Sequence, residues 1–173
     1  MGGALVQTGK ALDARPVAVV STPHKAQRAA EARAYAITDL STRDLHQAVA
    51  EATGRQGADA ALDPVGGVRL GELLRSVRNG GTVVSLGFTG CEQAELDVVD
   101  LPIGEKHLTG YAIPNEPEEA IGPGLKTIAA LAAQGAVRSV FDSRFALDDF
   151  EDAFARPGPG HLSLWARSRS GQT

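Results

Sequence analysis

Residues 1–22 read MGGALVQTGKALDARPVAVVST, and the order of their pieces decides the fold. Two glycines lead straight into a helix-like run, 3–12, and an apolar strand-like run, 17–21, follows before Thr22 and Pro23. Helix, strand, then a new helix start is what a βαβ unit looks like once its opening strand has been passed. A helix reached through glycines offers unpaired N–H groups and a positive dipole end, which together hold a pyrophosphate. Gly2 and Gly3 are therefore the first candidate binding residues. Taken alone, two glycines before a helix more often mark an ordinary chain start.

The alternation continues outward from this stretch. Short aliphatic strands are expected at 17–21, 36–38, 58–63, 82–86 and 108–113, with helices at 3–12, 23–33, 42–53, 68–77 and 118–134. Uninterrupted apolar strands separated by amphipathic segments predict an α/β fold, a doubly wound parallel sheet covered on both faces. Ser21 and Thr22 can cap a helix that begins at Pro23, and Gly54 and Gly135 can stop helices by accepting positive φ. The last forty residues read differently. Strands at 137–146 and 162–165, a short helix at 148–155 and a turn at 156–160 look like pieces of another sheet, without crossover helices between them. The expected division is an incomplete dinucleotide-binding domain at 1–136, strands and a short helix of a partner-domain type at 137–166, and a frayed tail at 167–173.

Composition narrows the function. A chain of 173 residues, 43% hydrophobic and 22% charged, is long enough to bury a real core. A formal charge of -4 leaves no electrostatic footprint for nucleic acid, and no apolar run approaches the ~20 residues of a membrane span. The single cysteine, Cys91, forbids an internal disulfide, and the start lacks the pattern of a secretory signal, so the cytoplasm is the expected compartment. His24, His46, His107 and His161 show no metal-ligand spacing, and neither Cys91 nor Tyr111 is expected to act as a catalyst. The catalytic residues are left unassigned, and no metal is expected.

Three segments carry the remaining chemistry. After the 17–21 strand, NAD enzymes place a carboxylate that bonds the ribose, whereas hydroxyl and basic side chains accept a 2′-phosphate. Here Ser21, Thr22, Lys25 and Arg28 supply donors and positive charge. The plainer reading, Ser21 as a helix cap and Lys25 as a solvated surface lysine, fits the segment equally well. Two further turns, Asp63-Pro64-Val65-Gly66-Gly67 and Gly87-Phe88-Thr89-Gly90, sit at strand ends where ligands bind in open α/β sheets. Their glycines permit close passage of a ribose or nicotinamide, and they serve a tight turn with no ligand just as well.

Taken together, these segments resemble the cofactor half of the medium-chain dehydrogenase/reductase superfamily, in its zinc-free NADPH:quinone oxidoreductase (zeta-crystallin-like) branch. Gly2, Ala4, Gln7, Lys10, Ala11, Leu12, Ala14 and Arg15 fall in step with the helix after its glycine fingerprint. "GRQGAD", "DPVGG", "SLGFTG", "LAAQGAVRSVFDSRFALDDFEDAF" and "GHLSLW" are similar to its other recurrent stretches, so the likeness covers nearly the whole chain. The resemblance implies NADP(H) as cofactor, with Ser21 and Lys25 at the 2′-phosphate and the turns around Asp63, Val65, Gly66, Gly87 and Phe88 along the dinucleotide. It implies hydride transfer to a quinone or electron-poor alkene. It also implies a homodimer joined edge to edge through 108–113. A non-catalytic remnant, serving as an interaction or nucleotide-binding module, is the alternative.

Departures from the family pattern are local. Asp13-Ala14 and Arg33-Ala34 stand where the family usually ends its first two helices with Gly-Ala, Leu40 stands for a tyrosine near the 2′-phosphate, and His161 for a lysine. Aligned with Gly2 as the last fingerprint glycine, the sequence is expected to lack the first strand and the catalytic domain before it, as a truncated product would. In the spatial order 3-2-1-4-5-6 that strand lies mid-sheet, between the 17–21 and 58–63 strands. Strands 137–146 and 162–165 are candidates to fill its place. Otherwise the chain is expected to be weakly stable and to bind NADPH weakly.

Overall fold

The computed structural model describes residues 1–141, 143–155 and 164–167, the last four as backbone. They form two compact units, Gly2–Val137 and a segment from Arg138 onward.

In the first unit the expected alternation is present. Its elements are α1 (Gly2–Ala11), β1 (Val17–Val20), α2 (Pro23–Glu31), β2 (Ala36–Asp39), α3 (Leu45–Ala52), β3 (Ala58–Asp63), α4 (Leu70–Ser76), β4 (Val77–Ser85), α5 (Asp100–Gly104), β5 (His107–Gly110) and α6 (Glu118–Ala133), with a 3-10 turn at Ile113–Asn115. Local chemistry sets the boundaries. Pro23 begins α2 after an extended Thr22, as its fixed φ and missing N–H favour. Asp44 accepts a hydrogen bond from the Gln47 N–H at 2.9 Å, so α3 begins at Leu45 and not at residue 42. β4 starts earlier than expected, at Val77. Its register slips between Ala58 opposite Val77 and Ala60 opposite Thr82, which lets Asn79, Gly80 and Gly81 bulge out of the ladder. β5 ends at Gly110, so residues 111–113 lie beyond the strand.

All pairings are parallel, with Val17 opposite Ala36 and Val20 opposite Asp39 in one ladder, and β3 to β4 to β5 in another. The sheet is divided. β1 pairs with β2 and β3 with β4, and among the described residues no ladder joins β1 to β3. A doubly wound strand order places one further parallel strand at that opening. Helix α3 packs on β1 and β2 and against α4, which covers β3 and β4, so the helical layer continues where the ladder does not. Leu74, Val77 and Val83 form the buried core, backed by Ala58, Ala61, Leu70, Leu73, Leu96 and Leu101.

In the second unit, β6 (Ser143–Ala146) pairs in parallel with β7 (Leu164–Arg167), after a 3-10 turn at Leu147–Asp149 and α7 (Phe150–Ala155). This corrects the expectation of strands without a crossover. Parallel partners need one, and α7 lies within it. The two strands make a sheet of their own. The expected turn at 156–160, the start of the 162–165 strand, and the tail from 168 lie outside the described residues.

Helices α1, α2, α3, α5 and α6 all end in a left-handed turn, taken by the residue after the cap or, in α5, by the cap Glu105 itself, and the N–H that follows it reaches back five residues. For α2, the Arg33 N–H donates to Ala30 O at 2.9 Å and the Ala34 N–H to Ala29 O at 3.1 Å. Glycine takes the left-handed place after α3 and α6, at Gly54 and Gly135, while Asp13, Arg33 and Glu105 take it at φ 62, 63 and 50. A Cβ in that region costs about 1–2 kcal/mol. Arg33→Gly is therefore expected to raise stability by about 1 kcal/mol, read as a higher urea midpoint at unchanged slope. A midpoint that stays or falls would contradict the capping assignment.

Candidate functional site

Ligands of open α/β sheets bind at the carboxyl ends of strands, and the candidate residues cluster there. At the end of β1, the Lys25 ammonium donates to Ser21 Oγ at 3.1 Å. Four residues apart, the two side chains meet because α2 starts at once and turns Lys25 back over its own first turn. Thr22, and not Ser21, occupies the N-cap position, and its side chain makes no cap hydrogen bond. Asp39, the carboxylate at the end of neighbouring β2, spends Oδ1 on the backbone N–H and the hydroxyl of Ser41, at 2.9 and 2.8 Å. Gly2 and Gly3 begin α1 at the surface. A Cβ at either would meet no atom within 4 Å, so the chain's own packing does not require glycine there.

The two glycine turns are resolved more sharply. The alternatives left open by the sequence were room for a ligand and room for a turn, and these turns make room for each other. A Cβ on Gly66 would lie 2.6 Å from Gly87 O and 3.0 Å from Phe88 Cα; a Cβ on Gly87 would lie 2.6 Å from Pro64 O. The Gly90 N–H donates to Val65 O at 2.8 Å, and Gly66 bridges to Cys91. Gly67 and Gly90 complete the contact, a Cβ on Gly67 falling 2.9 Å from Cys91 Cβ and one on Gly90 2.9 Å from Val65 Cγ1. The signal was present in the pairing of Gly66-Gly67 with a Gly-x-x-Gly at 87–90. Asp63 is buried, and its Oδ1 accepts from the Val65 and Gly66 N–H groups at 3.0 and 2.9 Å, so it faces its own turn. Val65 and Phe88 are exposed, at 44% and 71%. The carboxyl edge thus presents a hydroxyl–ammonium pair, a helix start and two apolar side chains on interlocked turns.

A cavity of about 900 Å3 lies at the opposite, amino-terminal edge of the β3–β4–β5 sheet, lined by His46, Glu51, Arg55, Arg75, Arg78 and Lys106 among others. Its cations answer to the chain itself. The Lys106 ammonium donates to Leu74 O and Arg75 O at 2.8 and 3.2 Å, capping the negative end of α4. Arg75 pairs with Asp97 at 3.2 Å and Arg78 with Asp59 at 2.7 Å. Hydrogen bonding and charge from Arg78 hold the Asp59 carboxyl below its ordinary value, and Arg43 does the same for Glu51. Cys91 is a free, exposed thiol. Among the described residues no three His, Cys, Asp or Glu side chains are placed to hold a metal ion, and no helix is long and apolar enough to cross a membrane.

Residues 1–130 match the zinc-binding dehydrogenase family. The chain belongs to that family. No curated protein matches its sequence. Among solved structures, this dehydrogenase-family chain is similar to the quinone oxidoreductase of Pseudomonas syringae pathovar tomato, at 25% identity and TM-score 0.76 over 88% of this chain and 48% of that one. A 2-haloacrylate reductase gives 25% identity and TM-score 0.80 over 88% and 49%. The Escherichia coli quinone oxidoreductase complexed with NADPH gives 24% and TM-score 0.77 over 88% and 48%, a likeness of fold. The chain spans about half the length of each. The fold is that of the cofactor-binding half of the medium-chain dehydrogenase/reductase superfamily. The described residues of this family member do not form a zinc site.

Proposed function

We propose that this chain is the nucleotide-binding half of an NADPH-dependent oxidoreductase acting on a quinone or electron-poor alkene. The observation that carries the reading is the Ser21–Lys25 pair at the end of β1, where an NAD enzyme places a carboxylate. A 2′-phosphate fits this pair: the ammonium and the hydroxyl both donate, and the positive charge offsets the phosphate. The N–H groups opening α1 suit the pyrophosphate, and Gly2 and Gly3 leave the approach to them unobstructed. Exposed Val65 and Phe88 offer apolar surface and exclude water beside the reacting ring. When bound, the nicotinamide supplies the hydride, and the protein contributes binding and orientation.

NADPH is expected to bind more tightly than NADH, and Lys25→Glu to weaken NADPH by about tenfold, the loss of one surface charge-assisted contact, with NADH spared. Fluorescence titration of both nucleotides measures this. Equal binding of the two by the unmutated chain would refute the 2′-phosphate reading. Oxidation of NADPH by a simple quinone in the presence of the protein supports the enzymatic reading over a binding module.

The same family reading supports a homodimer. β5 is the outer strand of its sheet, pairing only with β4 among the described residues, and all four of its residues are exposed. Ile103, Ile113 and Tyr111 lie exposed beside it in sequence, at 78%, 61% and 46%. An open strand edge flanked by exposed apolar side chains is a template for pairing with a second copy. Sedimentation at micromolar concentration is expected to show a dimer, and Leu108→Lys to shift it to monomer. A monomeric unmutated chain would count against the edge pairing.

A further inference from the structure

We infer that Asp63 is a positioning residue: its carboxylate holds turn 64–67 in the one shape that also seats turn 87–91, and so presets the edge on which the nucleotide lies. The inference rests on the nucleotide-binding reading and assigns Asp63 a role without ligand contact. Asp63 is 4% exposed, at the last position of β3, and Oδ1 accepts from both the Val65 and Gly66 N–H groups. Its other oxygen, Oδ2, is buried with no hydrogen-bond partner among the described residues. All the side-chain bonding therefore goes to the turn, and none ties Asp63 to a helix or to another strand.

The backbone of the same residue reaches the second turn. The Leu86 N–H donates to Asp63 O at 2.8 Å, one residue before Gly87. From there the turns are laced together by the Gly90 N–H on Val65 O, by the Gly66–Cys91 bridge, and by glycine contacts that leave no space for a Cβ. Bodies packed backbone to backbone cannot move separately. The carboxylate thus fixes the position of exposed Phe88 on the second turn as well as that of Val65 on the first. Preset geometry contributes to affinity by lowering the ordering cost of binding.

The test compares Asp63→Ala with Asp63→Asn at a temperature where circular dichroism shows each folded. Asparagine keeps an oxygen that accepts the same two N–H bonds, and alanine keeps none. Asp63→Ala is expected to weaken NADPH and NADH alike, by about tenfold, and Asp63→Asn by less than about threefold. That pattern differs from Lys25→Glu, which separates the two nucleotides. Unchanged nucleotide affinity in folded Asp63→Ala, with only a lower melting temperature, would overturn the inference. Amide exchange on the unmutated chain provides a second measurement should Asp63→Ala not fold. Slow exchange at Val65 and Gly66 without nucleotide supports the clamp, and exchange at open-loop rates until NADPH is added overturns it. If the unmutated chain binds neither nucleotide, the nucleotide reading falls, and the exchange rates alone judge the clamp.

Discussion

A strand in a parallel sheet satisfies its backbone only through its neighbours, and β1 and β3 each have one among the described residues. The rest of the molecule is arranged around that constraint. Both strands read as apolar runs meant for burial, yet Val19 is 39% exposed and Leu62 48%. A doubly wound order places one more parallel strand between them. Each buried backbone group left without a partner costs about 1–3 kcal/mol, against the 5–15 kcal/mol that holds a typical domain. Ser21 follows β1 and Asp63 ends β3, so the candidate site is built on the two strands that border the opening.

The two sides of the opening are held differently. The β3–β4–β5 side has a leucine and valine core, in which Leu74 and Val83 are fully buried. Its turns are cross-laced by backbone contacts. Around β1 and β2 the buried apolar side chains are mostly small: Ala18, Ala29, Ala32 and Ala48, with Leu45 and Val49 from α3. Alanine buries far less area than leucine and contributes correspondingly less. Ser21 and Lys25, proposed to choose between nucleotides, therefore stand on the side with the smaller buried side chains, while Val65 and Phe88 stand on the side with the leucine and valine core. Helix α3 links the two, packing on β1, β2 and α4.

Much of this was legible in the sequence, because an apolar period of strands and helices survives without knowledge of contacts. The 58–63 strand is β3 to the residue, and α1, α2, α4 and α6 fall within two residues of expectation at each end. What was not legible depends on neighbours. α5 is five residues containing a proline and has no period to detect. The start of β4 was hidden because Asn79-Gly80-Gly81 reads as a turn, and only pairing with β3 shows it to be a bulge. The meeting of Ser21 and Lys25 was legible because their spacing on a helix start brings them together. Gly66 and Gly87 were identified without their reason, since a glycine that makes room for a ligand and one that makes room for another turn are the same letter. Asp63 was read as facing the nucleotide, and its inward turn follows from two N–H groups that no sequence pattern reveals.

On the proposed reading the carboxyl-terminal edge, and not the basic cavity at the opposite edge, receives the nucleotide. The most direct measurement is an NADPH titration followed by amide chemical shifts. The expected result is a set of shifts at Gly3, Ser21, Thr22, Lys25, Val65 and Phe88, with His46, Arg55, Arg75 and Arg78 unmoved. Shifts concentrated at His46, Arg55, Arg75 and Arg78, or none at Ser21 and Lys25 under saturating NADPH, would contradict it.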